Sequence, residues 1–186
     1  MNDVSKSMRV NFRWYLPLAA SWVLSQERSI LQRGIPLTAA ELADARYAGV
    51  THPGRVRLSR VEEIPLPSQP ELRAMAEGMQ LTAPPVRGLT LRYGIYICAE
   101  YWGQRECVVH KLVHTAQYER FGNVSTFLEC YLYQCLAVGK IAAPLEQEAS
   151  TVAQRICAQA GPLDGTPAGF TDVARERPFQ RAKTRR

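Results

Sequence analysis

The sequence predicts an α+β fold that is mostly helical and contains a small sheet. Apolar residues recur at helical spacing in several long segments, whereas only one stretch alternates clearly in the manner of a strand. Gly and Pro residues punctuate the chain between these segments. The chain has 186 residues, of which 46% are hydrophobic and 22% charged, so its composition is that of a globular domain of ordinary size.

The first two predicted helices lie in the N-terminal part of the chain. Apolar residues at helical spacing predict a helix over about 12–32, in which Pro17 marks either a bend or the first turn. A second helix is predicted over about 39–48, because Thr38 and Glu41 have the spacing of a capping box. In that motif the threonine hydroxyl covers an unpaired amide and the glutamate reaches back to the start of the helix.

The clearest strand signal is LTLRYGIYIC at 89–98, where apolar and other residues alternate over the whole stretch. Gly94 inside it indicates a bulge or the close approach of another segment. Two earlier segments are less regular. The pattern predicts a short strand or extended segment within 55–67 and either a short helix or a loop at 71–79.

Three more helices are predicted over about 104–121, 125–138 and 145–160, each bounded by Gly, Asn or Pro. Together these elements predict one domain over residues 1–160. The remaining residues, 161–186, are rich in Gly, Pro and basic side chains, and we expect them to form a flexible basic tail.

The net charge of +6 comes mostly from that tail. The last twelve residues, from Arg175 on, carry six Lys or Arg and one Glu, which leaves the rest of the chain near +1. Binding to a nucleic-acid backbone needs several cations grouped on one folded surface. The charge distribution therefore argues against nucleic acid as a partner.

The cysteine content favours a reduced, cytoplasmic protein. There are five cysteines, an odd number without CxxC spacing, which argues against a disulfide framework and against a thiolate zinc site. Basic residues before an apolar stretch near the N-terminus faintly resemble a secretory signal, so secretion is the alternative expectation. That stretch is too short to span a membrane.

The chemistry of the chain concentrates in the segment RECVVHKLVHTAQYERFG, at 105–122. His110 and His114 are four residues apart on a predicted helix, so both imidazoles leave the same face one turn apart and can share a metal ion. Metal sites of this kind usually need a third protein ligand. The later segment PLEQEA, 144–149, offers a carboxylate, Glu146, at the start of a helix.

The chain resembles gluzincin-type zinc metallopeptidases in these residues. HKLVHTAQYERFG is similar to the HELVHxxQYERxG form of the zinc-motif helix, and Glu146 to Ala149 match the ExxA pattern that follows it. The resemblance covers roughly residues 89–158. It implies a zincin-like fold in which His110, His114 and Glu146 bind Zn²⁺ and a water occupies the fourth position, with Glu148 as the alternative third ligand.

The sequence departs from that family at two positions. Lys111 stands where the family has its catalytic glutamate, and Ser150 stands where an aspartate often orients a ligand histidine. A protonated lysine has three donors and no acceptor, so it cannot take the proton of a zinc-bound water. Loss of such a group typically costs on the order of 10²–10⁴ in rate.

We therefore expect a zinc metallopeptidase-like protein that binds metal but is impaired or inactive as a peptidase, with a peptide or protein as its partner. Two alternatives remain open. In the first, the chain is an active metallohydrolase in which a desolvated Lys111 serves as the base. In the second, it is a helical interaction protein that carries the motif as a relic. Whether the protein is an enzyme and how it assembles both remain open at this point.

We assign no catalytic or metal-binding role to the other polar and aromatic residues considered. Gln117 is interpreted as a hydrogen-bonding residue on the helix surface, and Glu119 and Arg120 as a solvated face. His52 is interpreted as an isolated loop histidine. Tyr118, Tyr131 and Tyr133 could each supply a phenol to an oxyanion but are expected to be core residues, as tyrosines usually are.

Overall fold

The computed structural model describes residues 3–79, 81 and 86–159, with side chains from residue 14 onward. The predicted basic tail, 161–186, lies outside the described residues. The helices of the described part are α1 (Asp3–Arg33), α2 (Ala39–Tyr47), α3 (Pro70–Gly78), α4 (Arg105–Phe121), α5 (Val124–Val138) and α6 (Pro144–Ala158).

Four short strands form one mixed sheet. They are β1 (Ile35–Pro36), β2 (Arg57–Val61), β3 (Gly88–Leu91) and β4 (Gly94–Cys98). Their order across the sheet is β1-β2-β4-β3, with β2 and β4 parallel and the other two pairs antiparallel. The predicted α+β class, mostly helical with a small sheet, is confirmed.

The helical pattern located most of its elements closely, but it placed the start of the first helix at about residue 12, whereas α1 begins at Asp3. The helices predicted over 104–121 and 125–138 correspond to α4 and α5 within a residue or two, and the uncertain segment 71–79 is helical, as α3. Thr38 and Glu41 form the predicted capping box, with each side chain bonded to the other's backbone amide. The two-residue strand β1 was not predicted, because so short a segment has no detectable alternation.

The predicted single strand at 89–98 is wrong: the segment is a hairpin of β3 and β4 with a turn at Arg92 and Tyr93. Arg92 has φ +60, in the left-handed region that residues other than glycine seldom adopt. Gly94 then allows α1 to approach, because an added Cβ would lie 3.0 Å from the side chain of Ile30. The alternation continued through the turn in sequence, so it concealed the reversal of the chain.

Apolar clusters cover both faces of the sheet. Ile95 and Ile97 of β4 pack with residues of α2, α4 and α6, whereas Tyr96 between them packs with α1, α3 and α5. All five residues of β4 are buried, as expected for a central strand enclosed on both faces. Helix α4 therefore lies against the sheet on one side and against α6 on the other.

None of the helices in the described part of the chain is both long and apolar enough to cross a membrane.

Candidate metal centre

Helix α4 presents two histidines to the interior of the protein. The imidazole Nε2 atoms of His110 and His114 lie 3.2 Å apart, and the rings meet edge to face at 77°. His114 is 5% exposed, and the side chain of His110 is 19% exposed. The two imidazoles are therefore mostly shielded from bulk water, and His110 is the more accessible of the two.

Glu146 approaches the histidines from the first turn of α6. Helix α6 begins at Pro144, where the missing N–H of proline costs no hydrogen bond within the helix. The partial positive charge of the helix N-terminus favours a carboxylate nearby. Two glutamines hold this turn in place. The Gln134 side chain accepts from the Leu145 amide at 3.0 Å, and Gln117 donates to the Leu145 carbonyl at 2.9 Å.

The three side chains bring their ligand atoms to one point. Glu146 Oε2 lies 3.3 Å from His110 Nε2, and Glu146 Oε1 lies 3.4 Å from His114 Nε2. In a tetrahedral site with metal–ligand bonds of about 2.0–2.1 Å, neighbouring ligand atoms are about 3.3–3.4 Å apart. The two imidazole nitrogens are 3.2 Å apart, close to that value, and each lies 3.3 to 3.4 Å from a different oxygen of the Glu146 carboxylate.

Gln117 fixes the orientation of His114. The Gln117 amide nitrogen donates to the Leu145 carbonyl and to Glu148, so its oxygen is left to accept from His114 Nδ1 at 2.8 Å. A proton on Nδ1 leaves Nε2 as the ring nitrogen whose lone pair could bind a metal ion. Hydrogen bonds of this kind set the tautomer of metal-binding histidines.

The interpretation of Gln117 as a surface residue is therefore wrong, because it is 1% exposed and bonded to a candidate ligand. Gln117 supplies the orienting contact that the replacement of aspartate by Ser150 had put in doubt. It was missed because its role depends on α6 crossing α4 at this point, which spacing along α4 does not reveal.

Glu148, the alternative third ligand, lies outside the cluster. Its carboxylate forms a paired contact with the Arg120 guanidinium, at 2.7 and 2.8 Å, and accepts from Gln117 at 3.1 Å. Among the described residues, the one group of three or more potential ligands consists of His110, His114 and Glu146. Glu148 thus supports the glutamine that orients His114.

Tyr131 of α5 completes the surroundings of Glu146. Its hydroxyl donates to Glu146 Oε1 at 2.5 Å. Burial and the adjacent carboxylate raise the pKa of Tyr131 well above its ordinary value, so the phenol keeps its proton. The expectation of a simple core residue was incomplete, because the sequence has no signal that distinguishes Tyr131 from the other tyrosines.

The pKa shifts in the cluster favour the protonation states that bind metal. Burial lowers the pKa of His110 to about 4, although Glu146 opposes the change. Burial alone would raise the pKa of Glu146, but hydrogen bonds with both histidines, together with positive charge nearby, hold it well below the ordinary range. At neutral pH the pair is therefore a neutral imidazole and a carboxylate, the forms in which these side chains ligate metal ions.

Lys111 lies between the two histidines in sequence and is also buried, with 9% of its surface exposed. Its backbone carbonyl accepts from the Thr90 hydroxyl of β3 at 3.0 Å. Among the described residues no carboxylate oxygen lies within 4.0 Å of its ammonium group, so Glu146 is near without forming an ion pair. Burial lowers the pKa of Lys111, and the charge of Glu146 opposes this only in part.

The cluster opens onto an apolar cavity of about 130 Å³. Lys111, His114 and Glu146 line one part of it, and Lys140 contributes a second ammonium group. The rest of the wall comes mainly from α1, α3, β3 and α5. Examples of these apolar side chains are Trp22, Val23, Leu72, Leu91, Phe127 and Leu128.

The end of α4 is also less solvated than its sequence indicated. Glu119 accepts from the backbone amides of Thr51 and His52, at 2.6 and 3.0 Å, and from the Tyr93 hydroxyl at 3.0 Å. The interpretation of Glu119 and Arg120 as a solvated face is therefore wrong for Glu119. His52 is also not isolated, since its ring nitrogen lies 3.3 Å from Glu119.

Comparison with protein-family models, with curated proteins and with solved structures finds no match to this chain. The resemblance to gluzincins therefore rests on the motif residues alone.

Proposed function

We propose that this protein binds one Zn²⁺ ion through His110, His114 and Glu146 in a zincin-like domain and is impaired or inactive as a peptidase. The observation that carries the proposal is that the Glu146 carboxylate lies 3.3 and 3.4 Å from the Nε2 atoms of His110 and His114, which are themselves 3.2 Å apart, so the three side chains could share one ion. Neutral imidazole and ionised carboxylate are also the ligand forms that a divalent cation requires.

The proposed loss of activity rests on Lys111. Zinc in such a site supplies Lewis acidity and acidifies a bound water. A peptidase also needs a group that accepts the proton of that water and returns it to the leaving amine. A charged Lys111 cannot accept that proton, and in the described part of the chain Glu146 is the sole carboxylate lining the cavity, where it is engaged with both histidines and Tyr131.

The experiment that tests metal binding is elemental analysis of protein purified without added metal or a histidine tag. We expect about one zinc per chain in the wild type and less than a tenth of that in His110→Ala and Glu146→Gln. His52→Ala and Glu77→Gln are matched controls, because they change a histidine and an exposed carboxylate away from the cluster and its supports, and both should retain zinc.

A protein that holds no zinc even after incubation with the metal and repurification would contradict the proposal. The cluster would then be a buried hydrogen-bonded group, and the relic motif of an interaction protein would be the better interpretation.

A second candidate function is supported by the burial of Lys111, which lowers its pKa and moves it towards the neutral form that can accept a proton. In that case the protein is an active hydrolase with lysine as its base. Peptidase assays on the wild type, Lys111→Glu and Lys111→Met separate the two functions.

If the proposed function is correct, wild type and Lys111→Met are equally poor, and Lys111→Glu gains on the order of 10²-fold by restoring a proton acceptor. Robust turnover by the wild type that Lys111→Met abolishes would contradict the proposal and establish the lysine as the base. Zinc content measured on each variant shows whether a change in activity reflects the loss of the metal.

A further inference from the structure

The apolar cavity beside the metal centre has an unbalanced charge at its inner end. Lys111 and Lys140 both line it, whereas among the described residues Glu146 is the sole carboxylate that does so. That carboxylate already lies against both histidines and Tyr131. Lys140 bonds at 3.4 Å to the Leu81 carbonyl, and Lys111 has no ion-pair partner among the described residues.

Burial removes the hydration of the Lys111 amine, and its charged form has no paired carboxylate among the described residues, so an anion placed against it would favour that form. An anionic group that entered the cavity would supply the missing charge and accept hydrogen bonds from the lysine. A carboxylate suits this position, since a carboxylate oxygen is also a ligand that zinc accepts. The charge of the site therefore selects an anion.

The remainder of the cavity selects an apolar group of limited size. Its wall is built from aliphatic and aromatic side chains of α1, α3, β3 and α5. The volume, about 130 Å³, is close to that of an apolar protein cavity of about 150 Å³ that binds benzene. One phenyl ring or a short alkyl chain would fill it.

We propose that the site binds a small carboxylate that bears one apolar group, with Lys111 holding the carboxylate and the cavity holding the apolar group. The inference deepens the proposed function, because a zinc ion at His110, His114 and Glu146 would strengthen the attraction for the same head group. In this view the replacement of the family's glutamate by Lys111 converts a position for proton transfer into one for binding an acid.

The test uses 3-phenylpropionate and its uncharged analogue 3-phenylpropanamide, which have the same ring and chain length. Isothermal titration calorimetry on the zinc-loaded protein should show the acid binding about tenfold or more tightly than the amide, the difference expected for one buried charge-assisted contact. Lys111→Met, which keeps the apolar stem without the charge, should reduce this preference by about tenfold, and only the part due to the zinc ion should remain. Equal binding of acid and amide by the wild type would overturn the proposal.

A second variant tests the cavity. Ala76→Phe places a ring in the wall at a half-buried position of α3, and it should weaken the acid and the amide equally. Unchanged affinity in a folded Ala76→Phe protein would show that the acid binds elsewhere and would overturn the assignment.

Zinc content and ligand preference are measured on the same samples, so that the two proposals can fail separately. A protein that lacks zinc but shows a preference dependent on Lys111 contradicts the proposed function and supports this inference. A zinc-loaded protein whose preference is undiminished in Lys111→Met and disappears on chelation supports the metal site and overturns the role of Lys111.

Discussion

Gln117 shows how a single side chain governs the candidate site. Its amide has two hydrogen-bond acceptors on its nitrogen side, the Leu145 carbonyl and Glu148, so its oxygen is available to His114 alone. Rotation of the amide would place its nitrogen against His114 and would break both contacts with α6. The tautomer of His114 is therefore set by the position of the neighbouring helix.

Replacing Gln117 by Ala should weaken zinc binding by about 10–100-fold, the usual effect of removing a partner that orients a ligand histidine. Gln154→Ala is a matched control, because Gln154 is exposed on α6. The zinc affinity of this variant should equal that of the wild type. Competition with a chelator of known zinc affinity measures the zinc affinities of both variants. Equal zinc affinity of Gln117→Ala and the wild type would show that the contact with Gln117 does not support the metal.

Among individual residues, the sequence indicated the candidate metal ligands but not all of the residues that hold them in position. Helical spacing was sufficient to predict that His110 and His114 share a face, because that relation is local. The choice between Glu146 and Glu148 depended on the position of Arg120, which binds Glu148 and holds it away from the histidines. Tyr131 and Gln117 could not be assigned, since their partners lie on other helices.

Among the elements, the β3–β4 hairpin is the clearest case in which tertiary contacts override a local pattern. The turn lacks the Asn-Gly or Asp-Gly pair that usually marks a short hairpin. It is stabilised instead by the buried carboxylate of Glu27, which accepts from Arg92 Nε at 2.9 Å and from the Tyr93 amide at 3.2 Å. Because Glu27 belongs to α1, no sequence rule for turns could have detected it.

A second contact between elements joins the last turn of α4 to the loop after α2. Glu119 accepts hydrogen bonds from Thr51, His52 and Tyr93. Burial alone would raise the pKa of Glu119, but these hydrogen bonds outweigh it and lower the pKa below its ordinary value of 4.5. The folded state thus prefers the ionised form more strongly than the unfolded state does.

Glu119→Gln should lower the free energy of unfolding at pH 7 by about 1–3 kcal/mol, the range for hydrogen bonds to a charged group. Since the folded pKa is the lower one, this contribution is complete above pH 4.5 and is lost as the pH falls through the folded value. The difference between wild type and variant should therefore shrink in acid, as urea unfolding at several pH values would show. Glu77→Gln, at an exposed position of α3, is the control. A difference that stayed constant from neutral pH to pH 3 would contradict this account.

Over the whole molecule, the candidate metal centre joins the last three helices. Helix α4 supplies both histidines, α6 supplies Glu146, and α5 contributes Tyr131 and Gln134 to hold that carboxylate and its turn. None of these helices alone brings the three ligand groups together. An ion bound there would consequently stabilise the packed arrangement of the helices and have little effect on the unfolded chain.

Zinc at about 1,000 times its dissociation constant should stabilise the fold by about 4 kcal/mol if it binds only the native state. For a domain of this size that corresponds to a rise in Tm of about 8–16 °C. Scanning calorimetry of zinc-loaded and chelated protein measures the shift, and His110→Ala should show almost none. Identical melting of the loaded and chelated wild type would contradict native-state binding.

The global features were the most predictable from sequence. Long amphipathic segments are determined by local spacing, so α4 and α5 were located closely, and the α+β class followed from them. The sheet was predicted less well. Its order, β1-β2-β4-β3, depends on pairings between distant segments, and the short strand β1 becomes recognisable only when it pairs with β2.

The position of Glu146 on α6 has a consequence for biosynthesis. Translation proceeds from the N-terminus, so both histidines are synthesised before the first turn of α6. A nascent chain at that stage holds two of the three ligand groups and lacks the helix that aligns His114 through Gln117. If the proposed ion is bound, its capture would follow the synthesis of α6, and a product truncated before Pro144 would be unable to retain it.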